Sequence, residues 1–312
     1  LGIHTTIDST QANISAIETD SLVNMLPTHV PVVTGFQGVN MDLDITTLGR
    51  GGSDLTAVAL AHAVAADECQ IFSDVEGIYT ADPYVVKRAR LVEQLTYEEM
   101  LEFSLLGAKV LQHKAVEYGY RYQVPVRILS SFSDTAGTVL LPFSVPRPSM
   151  TAVTGVGLRH QQALFVLKGV KQVEVIEGCL RSGLKKLRIE SDMYMQHRPL
   201  SVSSDMDIKF AVHQDDFTRT NDFVREILTD IDYKDVHVNT ACSKVSLVGQ
   251  GLSRHAKLAS DMMRLLSEAS ITINLLRSTA NNISLILPSS AAEIAANILH
   301  DNAIIQPQLS VL

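Results

Sequence analysis

Over the first half of the chain, short apolar runs alternate with stretches of helical period. Val30-Pro31-Val32-Val33-Thr34-Gly35-Phe36 reads as a buried strand ending in a glycine turn, and residues 69–75 and 124–129 read as two more. Residues 53–66 have the pattern of a helix that is apolar almost all round. Residues 97–106 and 109–118 read as helices separated by Gly107, a C-cap. Strand, helix, strand, helix in this order predicts an α/β fold with a parallel sheet covered on both faces. Ligands of such sheets sit beyond the carboxyl ends of the strands, which is where the glycine turns after Thr34 and Val75 stand.

Pro142, Pro146 and Pro148 mark a linker, so the predicted domains are 1–145 and 150–312. Beyond the linker the pattern is shorter and richer in β. Strands are expected at 163–167, 187–193, 208–212, 243–249, 271–276 and 282–287. Helices are expected at 173–184, 221–231, 256–269 and 291–300. The order strand-helix-strand-strand-helix-strand occurs twice, which predicts a pair of ferredoxin-like units.

Length and charge narrow the classes. At 312 residues the chain has room for two or three domains, and 46% hydrophobic with 19% charged residues describes an ordinary globular protein. A net charge of −8 argues against a general nucleic-acid binder and against an anionic membrane surface. No apolar run reaches the about 18 residues of a membrane span, and no secretory pattern opens the chain. A cytoplasmic protein is expected. The first residue is Leu1 rather than Met, which reads as a processed or excised polypeptide. Cys69, Cys179 and Cys242 lie far apart and read as reduced, buried thiols. The ten histidines form no HExxH motif, and no metal site is expected; His160, His197, His213 and His255 read as surface or loop residues.

The most informative segment is Thr46-Thr47-Leu48-Gly49-Arg50-Gly51-Gly52-Ser53-Asp54. Its glycines allow positive φ and close approach of a ligand, and a helix start offers free N–H groups to an anion. Arg50 can grip a carboxylate bidentately, and Asp54 can accept from an ammonium group. These are the parts needed to hold an amino acid; a Ser53 helix cap with Arg50 in solvent uses the same residues. After the second strand, Ser73 and Asp74 can bond a nucleotide and Tyr79 can pack on a base, or Asp74 closes an Asx turn and Tyr79 is half-buried core. Lys109 at a helix start opposes the helix dipole unless a phosphate relieves it; a solvated lysine is the other reading.

Together these segments resemble the aspartate kinases, of the amino-acid kinase fold. Residues 34–40, 46–54, 73–83 and 107–111, the Gly137-Thr138 pair, and two later stretches, Val153-Thr154-Gly155-Val156 and Val245-Ser246-Leu247-Val248-Gly249, carry the resemblance. It implies a partial amino-acid kinase sheet sandwich followed by two ferredoxin-like ACT units. It implies ATP-dependent phosphorylation of the L-aspartate side chain with Mg²⁺, the first step toward lysine, threonine and methionine. Arg50, Gly51, Gly52, Ser53 and Asp54 match the aspartate loop. Ser73, Asp74, Tyr79 and Lys109 match nucleotide positions, with Arg50, Asp54 and Lys109 as the catalytic set. Thr272, Ile273, Thr279 and Ala280 fall at effector positions, which implies a lysine or threonine effector, and ACT pairing implies a homodimer. The family's leading Lys-Phe/Tyr-Gly-Gly strand is not in the sequence, and Tyr84 replaces an Arg after Asp82-Pro83. The chain alone is therefore expected to be inactive. The alternative is a non-catalytic, amino-acid-binding regulatory homologue that pairs with a full-length kinase.

Overall fold

A computed structural model describes residues 2–8, 10–107, 110–141, 153–197, 206–229 and 231–305. The linker prolines and Lys109 lie outside the described residues. The chain divides into two compact units, one of residues 1–83 and 89–154, the other of residues 84–88 and 155–312.

The first unit is built in chain order from β1 (Ile3–Thr5), β2 (Ile14–Ile17), α1 (Asp20–Met25), β3 (Gln37–Val39), β4 (Ile45–Thr47), α2 (Gly52–Ala63) and β5 (Cys69–Ser73). It continues with β6 (Gln94–Thr96), α3 (Tyr97–Leu105), α4 (His113–Tyr122), β7 (Val126–Ser130) and β8 (Thr138–Leu141). Two four-stranded sheets result, in the orders β2-β1-β3-β4 and β5-β7-β8-β6. Parallel pairs (β1 with β3, β5 with β7, β6 with β8) alternate with antiparallel ones. The core holds Val58, Leu95, Tyr97, Met100, Val116, Ile128 and Leu140. The Tyr97 hydroxyl donates to the Val124 carbonyl, so its burial leaves no polar atom unpaired. Thr96 and Glu99 form a reciprocal capping box at the start of α3, and the Thr154 hydroxyl donates to the other Glu99 oxygen.

The first unit departs from expectation at three places. Residues 30–36 form no strand: Phe36 has φ of 76°, and Val30 and Val32 are 90% and 95% exposed. β5 is buried on one face only, leaving Phe72 60% exposed. The fourth helix starts at His113, not at residue 109, because Gln112 is the first residue whose extended backbone turns into it. Gly107 does stand just past the end of α3, with φ of 92°.

The second unit contains β9 (Gly155–Val170), α5 (Val173–Lys186), β10 (Ser191–His197), β11 (Met206–His213), α6 (Phe217–Ile227) and β12 (Asp235–Val248). α7 (Ala256–Glu268), β13 (Leu275–Ser278), β14 (Asn282–Pro288) and α8 (Ala292–His300) follow. One antiparallel sheet runs β10-β11-β9-β12-β14-β13. Both βαββαβ repeats are present, but they are interlaced. The second half of β9 pairs with β11 and opens the first repeat; the first half of β9 pairs with the end of β12 and closes the second. The change of partner coincides with a register shift and with Gln161 at φ of 56°. Phe165 and Phe210 stack at 5.0 Å over Ile176, Leu180 and Val224 from the covering helices. β10 begins four residues later than expected because Leu187 still caps α5. α6 begins four residues early, behind a 3-10 turn at Gln214–Asp216.

Residues 84–88 belong to this second unit. The Asn297 side chain donates to the Val85 carbonyl, Arg88 pairs with Asp301 at 3.3 Å, and Val86 is buried. Cys69 and Cys242 are buried and free as expected, whereas Cys179 is exposed on α5. Among the described residues, no helix is long and apolar enough to cross a membrane.

Glu68 and Arg127 brace the edge of the second sheet at 2.8–3.0 Å. This pair pulls the Glu68 carboxyl below its ordinary value of 4.5. A lowered carboxylate stabilises above its unfolded pKa and loses that contribution as pH falls through the folded one. Arg127→Ala should therefore cost up to about 1 kcal/mol at neutral pH, since the pair is part-exposed, and the cost should fade below about pH 4. Urea melts at pH 7 and pH 3.5 check it; equal costs at both would remove the ionic contribution.

Candidate functional site

The loop after β4 is set by two left-handed glycines. Gly49 and Gly51 have φ of 79° and 72°, a conformation that costs an L side chain roughly 1–2 kcal/mol. Leu48 between them and the strand is fully buried, and its N–H donates to the Phe36 carbonyl. Arg50 is left pointing outward and exposed. Gly51 is the N-cap of α2 and no side chain caps it. Ser53 therefore lies inside the first turn and is not the cap. Among the described residues the backbone N–H groups of Ser53 and Asp54 have no hydrogen-bond partner, so they remain available to an anion.

Asp54 is half-buried. Burial pushes its carboxyl above the ordinary value of 3.8, and an N–H from Gln112 partly opposes this. Gln112 also closes the loop from the other side, since a Cβ on Gly51 would fall 1.9 Å from its Cγ. Lys114, the second residue of α4, reaches the Leu48 carbonyl at 3.5 Å. The sequence offered no signal for it, because a lysine in an amphipathic helix is ordinarily solvated. Residues 50–54 thus form one continuous corner that presents an exposed guanidinium, two free N–H groups and a half-buried carboxyl.

The second cluster stands at the carboxyl end of β5. The Ser73 hydroxyl donates to Asp74 at 3.1 Å, and the Tyr79 hydroxyl donates to Glu76 at 2.8 Å. That bond raises the Tyr79 phenol above its ordinary value of 10.0. The other Glu76 oxygen accepts from Ser133 at 3.2 Å, and the Ser131 N–H donates to the Ser73 carbonyl. These bonds tie loop 73–83 to the loop after β7, where a cleft of about 680 Å³ is lined by Phe72, Leu129, Phe132 and residues 130–135. Phe72 and Phe132 are 60% and 83% exposed on it. Residues 130–135 carry no motif that the sequence alone singles out. Their signal was the serine-rich stretch directly after a predicted strand, the position at which parallel sheets hold ligands.

The effector-position residues flank one strand of the second unit. Thr272 and Ile273 precede β13, and Thr279 and Ala280 follow it in the hairpin to β14. The Thr279 hydroxyl is engaged by that turn, accepting from the Asn282 N–H. Among the described residues no group of three or more His, Cys, Asp or Glu side chains could hold a metal ion.

Residues 2–130 match the amino acid kinase family, and residues 245–302 match the ACT domain. The aspartate kinase of Pseudomonas fluorescens is 36% identical over 292 residues, covering 93% of this chain and 70% of the relative. The chain belongs to the aspartate kinase family. The aspartate kinase of Pseudomonas putida is 38% identical over 272 residues, covering 87% of this chain and 66% of the relative, so the chain spans about two thirds of the length of such relatives. The fold also matches the crystal structure of E. coli aspartokinase III in complex with aspartate and ADP. That match has a TM-score of 0.74 at 24% identity and covers 96% of this chain and 68% of that one.

Proposed function

We propose that this aspartate kinase homologue takes part in ATP-dependent phosphorylation of the side-chain carboxylate of L-aspartate, giving 4-phospho-L-aspartate, the first step of lysine, threonine and methionine biosynthesis. Residues 1–145 would be the C-terminal portion of the kinase domain, and residues 150–312 a tandem ACT region for an amino-acid effector such as lysine or threonine. A homodimer through the ACT units fits this reading.

The observation that carries the reading is the corner at the start of α2. An exposed Arg50, two free N–H groups and a half-buried Asp54 complement a molecule that bears both carboxylate and ammonium. Arg50 and the N–H groups of Ser53 and Asp54 would hold carboxylate oxygens, and Asp54 would accept from the ammonium. A substrate carboxylate with a pKa near 4 is already ionised at neutral pH, so the reaction needs no general base. What the chain must supply is placement and relief of repulsion between two anions.

Ser73, Asp74 and Tyr79 would take the nucleotide, with Phe72 and Phe132 giving the adjoining cleft its apolar wall. Lys109 is proposed for the phosphates. Mg²⁺ would arrive with the phosphates, in keeping with its habit of binding through one or two carboxylates plus substrate oxygens; among the described residues no carboxylate cage stands ready for it. When bound it neutralises phosphate charge, and exposed Asp74 is the carboxylate beside the cleft.

Calorimetric titration of the chain with L-aspartate, and a hydroxamate assay with ATP, test the reading. Aspartate binding is expected, with no hydroxamate formed by the chain alone. Joined to the part of the Pseudomonas putida sequence outside the match, it should form hydroxamate. Absence of aspartate binding would sink the assignment. Binding without turnover in the joined protein would turn it to the regulatory homologue.

A further inference from the structure

We propose that Val85, Val86 and Arg88 are positioning residues for the loop that carries Ser73, Asp74 and Tyr79, and that α8 holds them in place. The order of this loop then follows the last helix of the second unit. That the loop takes a nucleotide rests on the kinase reading; the tie to α8 does not.

The base of the loop is a short antiparallel pair. Tyr79 bridges Leu91, the Thr80 N–H donates to the Arg90 carbonyl, and the Val92 N–H donates to the Ile78 carbonyl, both at 2.8 Å. The Thr80 hydroxyl accepts from the Arg90 N–H at 2.9 Å. The Ile78 N–H donates to the buried Thr138 hydroxyl, which anchors this base within the first unit. A ribbon this short is marginal on its own, so what happens at its far end decides how firmly Tyr79 is held.

The far end, residues 84–88, belongs to the second unit. The Asn297 side-chain nitrogen donates to the Val85 carbonyl at 3.2 Å and to the Glu293 carbonyl, one turn back in α8, at 2.9 Å. Four residues on, and so on the same side of the helix end, Asp301 pairs with Arg88 at 3.3 Å. Between these two anchors Val86 is 1% exposed. A main-chain hydrogen bond, an ion pair and a buried apolar side chain thus fix the tip within four consecutive residues. The part-exposed ion pair contributes little alone; its use here is to hold a backbone already pinned at Val85. A loop ordered before its ligand arrives loses less conformational entropy on binding, so affinity follows the order of the tip.

Hydrogen–deuterium exchange and titration with a fluorescent ATP analogue test this on the chain itself. Asn297→Ala, Arg88→Gln and Asp301→Asn should each speed exchange of the Thr80, Arg90 and Val92 amides and weaken the nucleotide about two- to tenfold. Arg88→Gln with Asp301→Asn should be no worse than either alone, because both remove one interaction. L-Aspartate affinity and exchange in α2 should stay as in the parent, and Ile294→Ser, at an exposed position of α8, should change neither readout. Unchanged exchange at Thr80, Arg90 and Val92 in all the variants overturns the proposal. Losses that add in the double variant overturn it too, since the two side chains would then act apart. Faster exchange with unchanged nucleotide affinity, or in a parent that binds no nucleotide, upholds the tie and counts against the nucleotide reading, so the two fail separately.

Discussion

Asp54→Asn should weaken aspartate binding by roughly 10- to 150-fold while leaving the protein as stable as before, or more so. The loss follows from removing one charge-assisted hydrogen bond to an ammonium group, about 1.5–3 kcal/mol. The stability result follows from the position of the group. Burial raises the Asp54 carboxyl above 3.8, so the folded state holds the proton more tightly than the unfolded chain does. A raised carboxylate contributes favourably only below its unfolded pKa; that contribution is lost as pH rises through the folded value. At neutral pH the ionised group is thus a net cost to folding. Asparagine keeps an oxygen for the Gln112 N–H and removes the charge. The stability gap between variant and parent should close as pH falls below about 4, and aspartate affinity of the parent should fall on acidification through the raised pKa. Calorimetric titration and thermal melts over pH 4–8 read both quantities. An unchanged affinity removes Asp54 from the site. A large loss of stability makes it a structural brace.

That corner was legible because its local rules and its chemistry coincide. Glycines at 49 and 51 are required by positive φ, and the same residues free the helix start for an anion. The long helices α2, α3, α7 and α8 were legible for the same reason: period and caps act over neighbouring residues. What stayed hidden depends on distant partners. Residues 30–36 carry every mark of a buried strand, but burial is a property of the neighbours, and Val30 and Val32 are left almost wholly exposed. The interlacing of the ACT repeats was hidden too, because β9 and β12 are each read as one strand until their two halves are seen with different partners. The tie between loops 73–83 and 130–135 runs through Glu76, a residue 57 positions from Ser133, and no local pattern announces such a bond. His300 is fully buried at the end of α8, where its polar ring gave the sequence no reason to place it.

Gly137→Ala should be among the most damaging single substitutions in the first unit. A Cβ at this position would lie 2.0 Å from the Ile128 carbonyl oxygen, and the backbone has φ of 67°. Left-handed strain alone costs roughly 1–2 kcal/mol, and the clash is with backbone, which cannot swing aside as a side chain can. The next residue multiplies the effect. The buried Thr138 hydroxyl accepts from the Ile78 N–H at 2.9 Å and donates to the Val92 carbonyl at 2.6 Å, while Gly77 approaches so closely that a Cβ there would lie 2.5 Å from it. Displacing strand β8 therefore leaves two buried main-chain groups unpaired, at about 1–3 kcal/mol each. A total above about 3 kcal/mol corresponds to a fall in melting temperature of roughly 10 °C for a unit of this size. Thr138→Val should show most of that loss with no backbone strain, and Thr138→Ser should recover most of it. Because the same hydroxyl anchors the loop that carries Ser73, Asp74 and Tyr79, all three variants order nucleotide affinity as they order stability. Circular-dichroism melts with fluorescent-nucleotide titrations give both rankings. Gly137→Ala within about 1 kcal/mol of the parent would show that β8 can shift to make room, and would remove Thr138 as the hub of the loop.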